Sequence, residues 1–211
     1  MRISIAGFML FLFFCSCSSP RISATWKTEP IFRERYFRIL VIAVLPEADS
    51  VLRKTIETEA ARTLSSYGYH AVSAVSTFGA GGLAAGSQEA TYLKLCDSGI
   101  DAVMTFALVP ENESRYAGAS QYLHPNSYYY NRMWNYKKMQ TELNYSRTET
   151  NYFWETIIFD LLTLQAIGMV RTYSFSDYQQ NKITNEVADL VLQKMLKEKI
   201  IQKKHTYLKA F

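Results

Sequence analysis

Asp160, Glu155 and Asp101 are the carboxylates whose setting could support acid–base chemistry, because each lies in or beside an apolar run where burial would tune a proton. Glu155 and Asp160 stand five apart in YFWETIIFDLL, and an odd separation places them on opposite faces of one strand. They therefore make a poor dyad, and Asp160 is expected to pair with Arg171 across a hairpin or to solvate an edge. Asp101 follows Gly99 at a strand entry, where a turn or capping role is the default. Gly79, Gly81, Gly82 and Gly86 lie between a strand and a helix, the place for a phosphate-binding turn. Their spacing is not G-x-G-x-x-G and no Lys-Ser or Lys-Thr follows, so a surface connection is the better reading. No G-x-S-x-G elbow, S-x-x-K or H-E-x-x-H occurs. His70, His124 and His205 are scattered, none at ligand spacing to another, so neither a metal nor a cofactor is expected. The chain does not read as an enzyme.

Thiol chemistry is concentrated at the start. Arg2 is followed by the apolar run Ile3 to Phe14 and then by Ser16-Cys17-Ser18-Ser19. A positive start, an apolar core and small residues at the end form an export signal. A dozen apolar residues fall short of the roughly 20 that a spanning helix needs. Cys17 follows Ser16 whereas Cys15 follows Phe14, so Cys17 is the expected processing and lipidation site, with a signal over 1–16. Several acyl chains, at about 0.8 kcal/mol per buried methylene, would then fix the mature chain to a membrane. The remaining thiol, Cys96, has no partner for an internal disulfide and is expected to pack inertly on the core side of a short helix.

Binding chemistry points elsewhere. Eight of the fifteen tyrosines, from Tyr116 to Tyr152, crowd one segment together with Trp134, Phe153 and Trp154. Tyrosine and tryptophan offer wide contact area at low entropy cost and keep a polar tip, which is why interfaces favour them. Tyr128, Tyr129, Tyr130, Arg132, Trp134 and Tyr136 are the expected partner-binding residues, in an aromatic-rich insertion over 116–150. Sheet covering is an equal use for such residues, and stacking on sugar rings, with Asn131 and Arg132 bonding hydroxyls, is the alternative ligand reading.

These groups need a scaffold, and periodicity supplies one. RILVIAVL, residues 38–45, reads as a strand buried on both faces. Asp49 or Ser50 can cap a helix whose Leu52, Ile56, Ala60, Thr63 or Leu64, and Tyr67 recur at helical spacing before Gly68. A second strand is expected over Tyr69 to Val75. Ser87 then caps a helix with Ala90, Leu93 and Cys96 inward, stopped by Gly99, and Ile100 to Val109 forms a third strand. Tyr152 to Leu162 and Ala166 to Phe175 form an antiparallel hairpin around Thr163 to Gln165. A helix over Asn181 to Ile201 closes the chain with Ile183, Val187, Leu190 and Met195 on its apolar face. The expectation is a single α/β domain over 37–205, a mixed sheet of about five strands under three helices. Residues 17–36, with Pro20 and Pro30, read as a lipid-anchored tether, and 206–211 as a tail.

Composition agrees with one globular unit, since 48% hydrophobic and 20% charged residues are enough to bury a core. The net charge of +4 gathers in Lys194, Lys197, Lys199, Lys203, Lys204 and Lys209, where a cationic helix end and a solvated face account for it better than nucleic acid does.

FRILVIAVL, a helix with Arg53 and Glu57, SSYGYHAVSA, CDSGIDAVMTFAL and the hairpin YFWETIIFDLLTLQAIGMVRTYSF with its closing helix together resemble a group of bacterial envelope lipoproteins of Bacteroidetes type. The region around Cys17 resembles their lipobox. The order of elements is also similar to the periplasmic domains of the curli secretion lipoprotein, of lipoprotein activators of penicillin-binding proteins, and of the N-terminal domain of the Tol translocation protein. The resemblance implies a non-enzymatic adaptor or assembly module of the envelope; Ser18, which is not an acidic retention residue, favours a lipid anchor in the outer membrane, facing the periplasm. The resemblance also implies an envelope protein, self-association or peptidoglycan as partner.

Overall fold

The computed structural model describes residues 21–28, 36–45, 49–79, 83, 87–110, 152–173 and 182–204. They form a six-stranded mixed sheet with four helices. The strands are β1 (Ile22–Lys27), β2 (Arg38–Val44), β3 (His70–Ser73), β4 (Ala102–Pro110), β5 (Tyr152–Asp160) and β6 (Ala166–Thr172). The helices are α1 (Ser50–Ser66), α2 (Ala74–Phe78), α3 (Gln88–Asp97) and α4 (Lys182–Lys197). Spatial order is β1-β6-β5-β4-β2-β3, with β2 parallel to β3 and β4, and the remaining neighbours antiparallel. The α/β class and the mixed sheet read from periodicity are both present.

Strand alternation divides the apolar residues between two cores. Ile39, Val41 and Ala43 of β2 join Met104, Phe106, Trp154, Ile158 and Val170 under α1 and α4. Leu40, Ile42 and Val44 join Val103, Ala107, Val109, Phe153, Ile157 and Phe159 on the opposite face with Leu95 of α3. The continuous run of β2 is apolar because both faces of a central strand need apolar cover. Leu52, Ile56, Ala60 and Leu64 are the buried stripe of α1, at the expected spacing. Two glycines mark close approaches: Gly68 leaves α1 at φ +90°, and Ile200, just beyond α4, sits so near Gly168 that a Cβ there would lie 2.5 Å from it.

Four local expectations change. Ile22–Lys27, expected within the tether, pairs antiparallel with β6 as a sixth, edge strand. The second strand stops at Ser73, whose hydroxyl accepts from Ser76 N–H and starts α2, so Ala74 and Val75 are helical. In α3 the buried residues are Thr91 and Leu95, not Ala90, Leu93 and Cys96; Leu93 is 53% exposed and Cys96 is exposed. The inward face is thus rotated by about 100°, one residue's rotation, from a Cys96-centred one, and Thr91 Oγ1 on it donates to Leu83 O. Asp49 stands at the N-cap of α1, but its side chain makes no capping bond.

Candidate functional site

A carboxylate outside the three acid–base candidates of the sequence is almost fully enclosed. Glu57 is 1% exposed in α1. Its Oε1 accepts from Ala43 N–H (3.0 Å), and its Oε2 accepts from the Ser73 hydroxyl (2.7 Å) and Val75 N–H (2.8 Å). The β2–β3 ladder ends at Val41 opposite Ser73, and there β3 gives way to α2. Ala43 thus lacks a strand partner on that side, and Val75 has an orphan amide in the first turn of α2. Glu57 answers both. Arg53, one turn earlier, donates from Nη2 to Leu45 O (2.7 Å) and closes the same end of β2. Burial pushes the Glu57 carboxyl above its ordinary range, while the amides of Val75 and Ala43, the Ser73 hydroxyl and the Arg53 charge pull the other way. The arrangement accepts hydrogen bonds from the chain itself. Its signal in the sequence is the Arg53, Glu57, Ala60, Leu64 spacing of four, three and four, which puts both charges on a core-facing stripe.

The expected partner of Arg171 is corrected. Arg171 bonds Glu155, not Asp160, with Nη2 2.6 Å from Oε2. Glu155 is opposite Arg171 in the β5–β6 register, whereas Asp160 lies five residues further along β5, at the turn end of the hairpin. The Arg171 guanidinium also lies 4.5 Å over the Phe153 ring. Asp160 instead caps the hairpin turn: Oδ1 accepts from Leu162 N–H (2.8 Å) and Thr163 N–H (2.9 Å), and Oδ2 from the Tyr36 hydroxyl (2.8 Å). Asp101 has the expected turn role, its Oδ2 accepting from Phe37 N–H (2.8 Å) and Arg38 N–H (2.7 Å) at the start of β2. No group of three or more His, Cys, Asp or Glu side chains among the described residues could hold a metal.

Cys17 and the residues Tyr128, Tyr129, Tyr130, Arg132, Trp134 and Tyr136 lie outside the described residues. Their attachment points do not. Pro110, the last residue of β4, pairs with Tyr152, the first of β5, at the end of the sheet where β2 and β4 finish; this is called the upper end here. Ile22 pairs with Thr172 at that same end, and Tyr173 N–H donates to Arg21 O (2.7 Å) just beyond it. The lower end carries Phe37 (62% exposed) and Leu162 (72% exposed). Phe37 is 6.1 Å from the His70 ring, and the Lys204 ammonium stands beside two aromatic rings, its Nζ 5.9 Å from Phe37 and 5.3 Å from Tyr69. No described helix is long and apolar enough to cross a membrane.

No family model matches the chain, and no curated protein does. Among solved structures, a PelC dodecamer from Paraburkholderia phytofirmans and a point variant of it are loosely similar. Each shows 12% identity and a TM-score of 0.41 over 86% of this chain and 99% of theirs.

Proposed function

We propose that this chain is a lipid-anchored envelope protein, attached through Cys17 on the periplasmic face of the outer membrane, that serves as a non-enzymatic adaptor or assembly module. The contact is made by the segment around Tyr128, Tyr129, Tyr130, Arg132, Trp134 and Tyr136. One observation carries the reading. Pro110 and Tyr152 face each other in register, so a two-residue turn would join β4 to β5. The chain instead places residues 111–151 there, with seven tyrosines and Trp134, so closing the hairpin does not account for the segment. Asp101 and Asp160 are engaged by backbone amides at turns and Glu155 by the Arg171 cation, which supports binding over turnover.

Photo-crosslinking in native envelopes tests the contact, with the reactive group placed in turn at Tyr128, Tyr130 and Trp134 and at the exposed Leu162 of the hairpin turn as the control. Self-adducts or one recurrent envelope protein, absent from the Leu162 control, are expected. Adducts no different from that control overturn the reading. Retention on purified peptidoglycan that is lost in Trp134→Ala, without protein adducts, replaces it with the glycan reading.

A further inference from the structure

We propose that the upper end of the sheet, with Arg21, Val51 and Tyr173 on its rim, rests against the lipid surface that holds Cys17, and that the lower end points away. The proposal rests on the acylation of Cys17 proposed above. It follows from the edge strand that the sequence reading had assigned to a tether. Because β1 begins at Ile22 and Arg21 is bonded to Tyr173, the chain between the lipid and the sheet is at most the stretch from Cys17 to Arg21. Four peptide steps of about 3.5 Å reach about 14 Å.

The nine residues of β4 extend the sheet by about 27 Å between its ends. Standing the domain on its lower end would lift Arg21 about 27 Å from the membrane, roughly twice what the lead can span. This decides between two ends that both look suited to a surface, since the lower one also combines exposed apolar groups, Phe37 and Leu162, with Lys203 and Lys204.

The upper rim has the chemistry that an interface asks for. Tyr173 is 60% exposed and next to an exposed Arg21, a pairing of an amphipathic ring with a cation that reaches phosphate headgroups. Val51 is 73% exposed in the first turn of α1, with Lys54 exposed one turn on. The Arg53 bond to Leu45 O fixes that turn at the upper end of β2. The surface spans the sheet from β6 to β2. The occupant is a bilayer leaflet with anionic headgroups.

The test uses the full chain purified from membranes, with Cys96→Ser removing the exposed thiol. A fluorophore is attached through cysteine substitution at Val51, Tyr173, Phe37 or Leu162, all exposed and therefore tolerant. The protein is placed in vesicles of phosphatidylethanolamine and phosphatidylglycerol containing a lipid with a nitroxide on its headgroup. Strong loss of fluorescence at 51 and 173, with little at 37 and 162, is the expected result. Equal loss at both ends, or greater loss at 37 and 162, overturns the orientation. Intact mass separates the two failures: an acylated Cys17 with the wrong quenching pattern defeats the orientation alone, whereas an unacylated Cys17 defeats the anchor and the orientation with it.

Discussion

Glu57 in the parallel half of the sheet and Glu155 in the antiparallel half are almost equally hidden, at 1% and 0% exposure, yet they are held by different kinds of partner. Glu57 is held mostly by backbone amides, those of Ala43 and Val75, together with the Ser73 hydroxyl. Glu155 is held by a side-chain cation, Arg171, which faces it across the hairpin. The difference follows from topology. A parallel strand that ends early leaves its neighbour's amides open, and a side chain from the crossover helix is the nearest acceptor. An antiparallel hairpin keeps its ladder, so a charge on its face needs only a cross-strand partner. Backbone donors cannot be mutated away, whereas an ion pair can be exchanged as a unit for apolar side chains. Glu57 should therefore be the less replaceable.

The largest test of that contrast is Glu57→Ala. It orphans the buried amide of Ala43 and the half-buried amide of Val75 at about 1–3 kcal/mol each, so a loss of about 2–6 kcal/mol is expected in urea unfolding at unchanged m-value. Against a typical domain stability of about 5–15 kcal/mol this is a large share. Glu57→Gln should fall between, since its amide oxygen can replace one carboxylate oxygen while its NH2 meets a donor on the other side. If Glu57→Ala costs no more than a change at Arg171, the contrast is broken.

The second test acts on the pair. Arg171→Met removes the cation from a carboxylate shut off from water and also the contact with Phe153. The expected loss is about 1–3 kcal/mol, below the full cost of breaking a buried pair because the Arg171 side chain is itself 22% exposed. The double variant Glu155→Met with Arg171→Met should recover most of it, giving a coupling of about 1 kcal/mol or more in a double-mutant cycle. A double variant as damaged as the sum of the two singles would show that Glu155, like Glu57, answers chiefly to the backbone.

The same contrast explains what could be read from the sequence. β2, β4, the β5–β6 hairpin and the stripe of α1 were legible because burial on one or both faces writes a period into apolar residues. Ile22–Lys27 was not, because an edge strand exposes Trp26 and is polar between, and its stability comes from the ladder with β6. The turn of α3 was misjudged because Thr91, polar in type, takes an inward place through its bond to Leu83 O. Arg171 reads as a cross-strand partner, but the register of the hairpin decides which carboxylate it meets: Glu155 lies opposite it and Asp160 lies at the turn end, and no local residue type announces that register. Glu57 was missed for the converse reason: a charge at core spacing discloses its partners only when the end of β3 is known. Cys17 and the Tyr128 to Tyr136 set belong to a different kind of signal, one of composition and processing, which the packing of a sheet does not encode.

The finest distinction between the two carboxylates is in pH. Burial raises Glu57 above its ordinary value of 4.5, its amide and hydroxyl donors and Arg53 only partly offsetting the desolvation. Below the ordinary value the side chain is protonated in both folded and unfolded chains and adds no slope. Between the ordinary and the raised value the unfolded chain has released this proton and the folded one has not. The folded state then binds more protons, and stability falls as pH rises until the raised value is passed. Other groups titrate in the same range, so the informative quantity is wild type minus Glu57→Gln, measured by urea unfolding from about pH 4 to about pH 7. That difference should shrink with rising pH and then level off. A difference that grows with pH would mean that the three donors outweigh burial, and that Glu57 is held as a carboxylate by the very backbone groups it completes.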